Sequence, residues 1–125
     1  MRSTEAGFVD TCLIYFDSAD KTWIAHSLET DQVGVGDCVV DALVDLMTGT
    51  RNLLELARRD KTIAVFRKAP REIVSRAKKA KPLPDVVFQI ALERFTNNLP
   101  KGYRIDVEAP TRGAFTAKIP EPIGA

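Results

Sequence analysis

Carboxylates are the first side chains in this sequence that could do chemistry. Five of them fall on the first predicted hairpin: Asp10, Asp17, Asp20, Glu29 and Asp31. A nuclease that uses two metal ions needs several carboxylates converging on Mg²⁺. Asp17 and Asp20 instead lie at the two ends of a predicted turn, Asp-Ser-Ala-Asp, where such side chains form hydrogen bonds with their own backbone. Glu29 and Asp31 fall in the next loop. We therefore interpret them as solvated turn acids and predict no metal site. Contact with a basic partner is the alternative interpretation.

One histidine and two cysteines are the other candidates for catalysis. His26 shares a strand face with Ile24 and Leu28, and we identify no serine or cysteine that pairs with it as a candidate nucleophile. Cys12 and Cys38 lie in apolar patterns, which is typical of buried free thiols in a reducing compartment rather than of a disulfide. These three residues cannot form a zinc site at normal ligand spacing. We predict a protein that is not an enzyme and that binds no cofactor.

A basic run is the strongest charge feature. Seven basic residues and one acid, Glu72, give it a local charge of +6 in a chain whose net charge is +1. The basic residues are Arg67, Lys68, Arg71, Arg76, Lys78, Lys79 and Lys81. Such a segment on an acidic remainder contacts nucleic acid or an acidic partner, or is simply a solvated face. No aromatic residue interleaves with the run, since Phe66 precedes it and Phe88 follows it. Any nucleic-acid binding would therefore act through the phosphate backbone and depend on salt.

The composition is that of a soluble globular protein, with 45% hydrophobic and 28% charged residues among 125. This length predicts one domain. No apolar run reaches the roughly 20 residues that span a bilayer. Residues 1–7 contain no apolar stretch of the kind a signal peptide needs, so we expect a cytoplasmic protein.

The elements that must position these side chains begin with a hairpin. Residues 8–16 are β-branched and aromatic without interruption, which predicts a central strand covered on both faces. Residues 21–29 predict its antiparallel partner, and 32–35 a short third strand. The glycines Gly34 and Gly36 match no phosphate-loop motif, so we interpret them as residues that permit positive φ in a turn before a helix.

The first helix is predicted over 38–59, with Asp37 as its N-cap and an interruption at Gly49. The later predicted elements are a strand over 61–68, a basic helix over 71–79, a helix over 86–96 capped by Asp85, a strand over 103–108 and an extended or disordered tail over 109–125. This order predicts an α+β fold: a small, mostly antiparallel sheet with helices packed on one face. Residues 1–108 would form one domain, with a core over 8–68 and an extension over 69–108.

The stretch from Thr22 to Leu46 resembles a known family. It contains a strand W-x-A-x-x-L-E-x-D, a turn G-x-G-D and a helix with A-L-x-x-L. The pattern is similar to the HicB-type antitoxin domain, in which a strand with an aromatic residue leads through a glycine turn into such a helix. The matching positions are Trp23, Ala25, Leu28, Gly34, Gly36, Asp37, Ala42, Leu43 and Leu46. The predicted strand Ile63 to Phe66 also fits, so the resemblance covers residues 8–68.

The resemblance implies a partial ribonuclease-H-like sheet with a ββ(β)αβ core and no catalysis. It implies a protein of a toxin–antitoxin system that binds and neutralises a small HicA-like ribonuclease toxin and forms homodimers or larger assemblies. The candidates for the toxin-facing surface are Asp17, Asp20, Trp23, Glu29 and Asp31. Residues 70–108 contain neither of the DNA-reading motifs that many members carry. The alternative function is binding of a nucleic-acid backbone through the basic run.

Overall fold

The computed structural model describes residues 5–97 and 111–120, and the side chains of residues 8–97 and 111–115. Five strands and three helices lie in these ranges. They are β1 (Glu5–Asp17), β2 (Thr22–Ser27), β3 (Val33–Gly36), α1 (Val39–Arg59), α2 (Arg71–Lys79), β4 (Lys81–Pro82), α3 (Asp85–Asn97) and β5 (Thr111–Pro120). No helix within these ranges is long and apolar enough to cross a membrane.

The strands form one sheet in the order β3-β2-β1-β5-β4. The pairs β1/β2, β1/β5 and β2/β3 are antiparallel, and β4/β5 is a short parallel pair. The predicted α+β fold with a small, mostly antiparallel sheet is therefore confirmed. The hairpin and the short third strand also form as predicted.

Strand β1 is the centre of the sheet and is covered on both faces. Cys12 and Ile14 belong to the main core, which the sheet forms with α1 and α3. We call this side the inner face. Leu13 points to the opposite, outer face and is nonetheless fully buried. An uninterrupted apolar strand is expected wherever both faces of a sheet are covered.

Helices α1 and α3 lie on the inner face, where Arg94 of α3 forms an ion pair with Asp41 of α1. Helix α2 has the predicted bounds but lies on the outer face. Its Arg76 guanidinium sits 4.4 Å from the centre of the Tyr15 ring, and Tyr15 shares the outer face of β1 with Leu13. The expectation of helices on one face therefore holds for α1 and α3 only. The apolar outer side of β1 needs a cover, and α2 provides it.

The two glycines of the turn serve close packing rather than positive φ. Both belong to β3, and neither has a φ in the left-handed region. A Cβ atom at Gly34 would lie 2.8 Å from Leu46 Cα and closer still to Ala42 O, and one at Gly36 would lie 2.6 Å from Ala42 N. Helix α1 therefore lies directly on the backbone of β3.

Helix α1 runs without a break through Gly49, contrary to the predicted interruption. Leu46, Met47 and Thr50 are buried around this glycine, so tertiary packing offsets its intrinsic cost of about 1 kcal/mol. The N-cap is Cys38, whose Sγ accepts from the backbone N–H of Asp41 at 3.5 Å, and not the preceding Asp37. In α3, Asp85 is the first helical residue rather than the cap.

The strand predicted over 61–68 does not form. The segment has no regular structure and attaches to the loop after β2 through two bonds, from Arg67 N to Glu29 O at 2.9 Å and from Ala69 N to Leu28 O at 3.2 Å. The second edge of β1 is taken by β5, in a register that runs from Glu5↔Pro120 to Ile14↔Thr111. A strand has only two edges, and β2 holds the other.

The sequence predicts only an extended or disordered tail over 109–125, and residues 111–120 of it enter the sheet as β5. The tail carries several prolines and little alternation, so nothing local marks a strand that pairs with β1 from the far end of the chain. The strand predicted over 103–108 lies outside the described residues.

Gly34→Ala is expected to destabilise the fold by at least about 1–3 kcal/mol, because the new methyl group overlaps the backbone of α1. The matched control is Gly49→Ala, whose Cβ would find Gln32 Oε1 no closer than 3.5 Å. That change should be neutral or stabilising by up to about 1 kcal/mol, since alanine favours a helix interior. Urea unfolding midpoints measure both. Equal stability of the two variants would contradict the proposed close contact.

Candidate functional site

The basic residues predicted from sequence gather on α2 and the chain on either side of it. We call Arg67, Lys68, Arg71, Arg76, Lys78, Lys79 and Lys81 the basic surface. Six of the seven side chains are exposed, and Arg76 is half-buried over Tyr15. The structure therefore brings all seven to one helix and its flanks.

The sequence of α2 dictates this outward placement. Ala77 is buried, and Ile73 and Val74 are half-buried on the side that faces the sheet. A helix with one apolar side must present its remaining positions to solvent. Three of its four cations lie in the last turn, where positive charge is stabilised by the helix dipole.

None of the basic surface residues forms an ion pair within the part of the chain that the structure describes. The two ion pairs there are His26–Asp31 and Arg94–Asp41. The single acid on α2, Glu72, is also exposed and does not neutralise a neighbour. The surface consequently keeps a concentrated positive charge that faces solvent.

The five toxin-facing candidates do not form one surface. Asp17 is the last residue of β1 and Asp20 lies in the turn that follows, where Ala19 N donates to Asp17 Oδ1 at 3.0 Å. Trp23 is only 9% exposed and belongs to the inner core. Glu29 accepts from the backbone N–H of Thr11. Only Asp17 and Asp20 therefore have few contacts within the protein and remain available to a partner.

The histidine and the two cysteines are buried inside the protein. His26 is buried, and its Nε2 lies 2.7 Å from Asp31 Oδ1. Cys12 and Cys38 are both buried, and neither is in a disulfide. Burial raises the pKa of the Cys12 thiol to about 12, so a thiolate does not form there near neutral pH. No three of the described His, Cys, Asp and Glu side chains gather closely enough to hold a metal ion.

Sequence reasoning missed a buried polar cluster around Asp10. Its carboxylate accepts from Ser27 Oγ at 2.5 Å and from Thr50 Oγ1 at 3.4 Å. Thr30 donates to the same Ser27 Oγ through its hydroxyl at 2.8 Å and its backbone N–H at 3.0 Å. The cluster therefore ties β1, the end of β2, the following loop and α1 together. The signal in the sequence is that Asp10 shares its strand face with the apolar Cys12.

Burial raises the pKa of the Asp10 carboxyl from 3.8 to about 6. The Ser27 hydrogen bond opposes this shift, while the charge of Glu29 and a hydrogen bond with Glu29 add to it. Two carboxyl groups in one poorly solvated place disfavour the state in which both are ionised. The interior thus holds a carboxyl that gains its proton at mildly acidic pH.

An open cavity of about 410 Å³ lies between the loop after β2, α1 and the irregular segment that follows α1. Arg67 and Asp31 line it, and Asp31 is already bonded to His26. The cavity therefore offers one uncommitted cation beside threonine hydroxyls and short apolar side chains.

Comparison of the chain with protein-family models, with curated proteins and with solved structures gave no match. A fold class by itself does not define a function. The function must therefore be inferred from the chemistry of these surfaces.

The raised pKa of Asp10 predicts a specific dependence of stability on pH. The folded state holds this proton more tightly than the unfolded chain, so the free energy of unfolding falls as pH rises from about 4 to about 6. Asp10→Asn should remove this fall, which is on the order of 2 kcal/mol. Chemical denaturation at several pH values across that window measures it.

Glu29→Gln is a second variant with a smaller expected effect, since Glu29 raises the pKa of Asp10 less than burial does. It should reduce the fall in stability without abolishing it. A pH dependence of Asp10→Asn that matches the parent protein would show that Asp10 is not the titrating group.

Proposed function

We propose that this protein is a non-catalytic binding module that holds a nucleic-acid backbone on its basic surface. The observation that carries the proposal is the concentration of seven cations on α2 and its flanks, without ion pairs among the described residues. Exposed lysine and arginine side chains with no internal partner are suited to bind phosphates and release the counterions that surround them.

The architecture supports a stable, sequence-independent contact. Helix α2 is anchored on the sheet by Ala77 and by the contact of Arg76 with Tyr15. Cations on an anchored helix can contact the phosphates of a nucleic-acid backbone, whereas base-specific recognition needs side chains that reach base edges. We therefore propose that affinity comes from the backbone and falls steeply with salt.

The non-catalytic part of the proposal is supported by the state of the candidate groups. A catalytic site needs a nucleophile, a base and an orienting group within reach of one another. His26 is held by Asp31, and the Cys12 thiol stays protonated. Asp10 is enclosed by Ser27 and Thr50.

Replacing Arg71, Lys78 and Lys79 together with serine should weaken binding to a nucleic acid of any sequence. The slope of log affinity against log salt concentration should flatten by roughly 0.7–0.9 for each phosphate contact that is lost. Arg76 is kept because it packs on Tyr15. Fluorescence anisotropy with labelled oligonucleotides over a salt series measures both quantities.

The control is Arg58→Ser with Arg59→Ser, which removes exposed cations from the end of α1, a helix of the inner face. The control should leave the salt slope almost unchanged. An unchanged slope in the triple variant, or an equal loss in the control, would contradict binding at the basic surface.

The second candidate is an antitoxin-type protein that neutralises a small HicA-like ribonuclease. The observation that favours it is the pair of acids at the first hairpin turn, the half-buried Asp17 and the exposed Asp20, on a ββ-turn-α unit whose glycines pack directly on the helix. A basic toxin would meet these acids. This candidate includes a cytoplasmic location, which two buried cysteines without a disulfide support, and a homodimer or larger assembly.

Affinity capture from nuclease-treated lysate of the source cells tests this candidate. A small basic ribonuclease should be retained and lose its activity in the complex, and Asp17→Asn with Asp20→Asn should weaken its retention. Light scattering of the protein at micromolar concentration should give at least the mass of a dimer. A monomer that retains no ribonuclease would exclude the antitoxin-type function.

A further inference from the structure

The basic surface ends at an exposed aromatic ring. Phe66 is 55% exposed and directly precedes Arg67 and Lys68 in the irregular segment after α1. We propose that the Phe66 ring stacks on an unpaired base, so that the ligand of the basic surface is single-stranded nucleic acid. This inference rests on the proposed function and specifies its substrate class.

The ring of Phe66 is held in a way that leaves a face open. Its centre lies 5.1 Å from that of the Phe8 ring, and the two planes meet at 75°. In such an edge-to-face pair, Phe8 covers at most one face of the Phe66 ring. The other face is not covered by Phe8, and the high exposure of the side chain places part of the ring in water.

The backbone beside the ring is also fixed. Arg67 N donates to Glu29 O at 2.9 Å, and Ala69 N donates to Leu28 O at 3.2 Å. Phe66 is thus one residue from an anchored position, although the segment is not a strand. A ring that is already positioned loses little conformational entropy when it contacts a ligand.

Charge and aromatic surface are continuous at this point. The segment leads from α1 on the inner face to α2 on the outer face, with Phe66, Arg67 and Lys68 in succession along it. Cations of this kind hold the phosphates on either side of a stacked base. The bases of a duplex are already stacked on each other, so stacking a side chain on a paired base costs unstacking energy that an unpaired base does not require.

Phe16 provides a matched comparison within the same chain. It is 50% exposed and makes a similar edge contact with Trp23, with ring centres 5.4 Å apart and planes at 62°. Its neighbour in sequence is Asp17 rather than a cation. Among the described residues, an exposed phenylalanine packed against another ring therefore occurs twice, and of the two only Phe66 is followed directly by cations of the basic surface.

The test compares a labelled single-stranded oligonucleotide with the blunt-ended duplex that it forms with its complement, measured by fluorescence anisotropy. Phe66→Ala should weaken single-strand affinity at least about fivefold and leave duplex affinity unchanged. The salt slope should stay that of the parent protein, since no cation is removed. Phe66→Tyr should keep the affinity of the parent, and Phe16→Ala should bind both ligands as the parent does.

Phe66→Leu separates stacking from packing, because leucine retains an apolar contact with Phe8 but has no π-face. It should lose single-strand affinity to the same degree as Phe66→Ala, with the unfolding midpoint of the parent. Parent-like affinity in both variants, or an equal loss for duplex and single strand, would overturn the stacking role while the basic surface still binds. A parent protein that binds neither ligand would overturn the proposed function itself.

Discussion

The rest of this structure depends on the complete occupation of strand β1. Its two edges pair with β2 and β5, and its two faces are covered by α1 and α3 on one side and by α2 on the other. A strand in this position buries nearly every side chain along its middle, as Cys12, Leu13 and Ile14 do. The positions of the other elements follow from how they fill the edges and faces of this strand.

Two features of functional interest are consequences of that arrangement. Asp10 is a polar residue on a covered strand, so its carboxyl must find internal partners and its proton affinity rises. Helix α2 is needed to shield the outer face, so its apolar side turns inward and its cations turn to solvent. The burial of β1 therefore accounts both for the buried polar cluster around Asp10 and for the basic surface on the outside of the protein.

The irregular segment after α1 connects the inner face of the sheet to the outer face. It is not part of the sheet, in which β5 holds the second edge of β1. It lies instead beside the loop after β2, where it exposes Phe66 next to Arg67 and Lys68. A strand in this position would have buried one side of the segment. Its exclusion from the sheet therefore produces an aromatic ring beside uncommitted cations.

The sequence by itself determined the elements whose signals are local: the hairpin of β1 and β2, the bounds of α2, the position of α1 and the residues of the basic run. Period, turn residues and charge are properties of neighbouring positions, so they can be recognised without a fold. The tertiary structure alone decided that Gly49 stays helical, that Trp23 is internal, that Asp10 is enclosed, that residues 61–68 form no strand, and that residues 111–120 pair with β1. Each of these outcomes depends on competition between distant segments for the same edge or the same buried volume, and no local pattern records which segment wins.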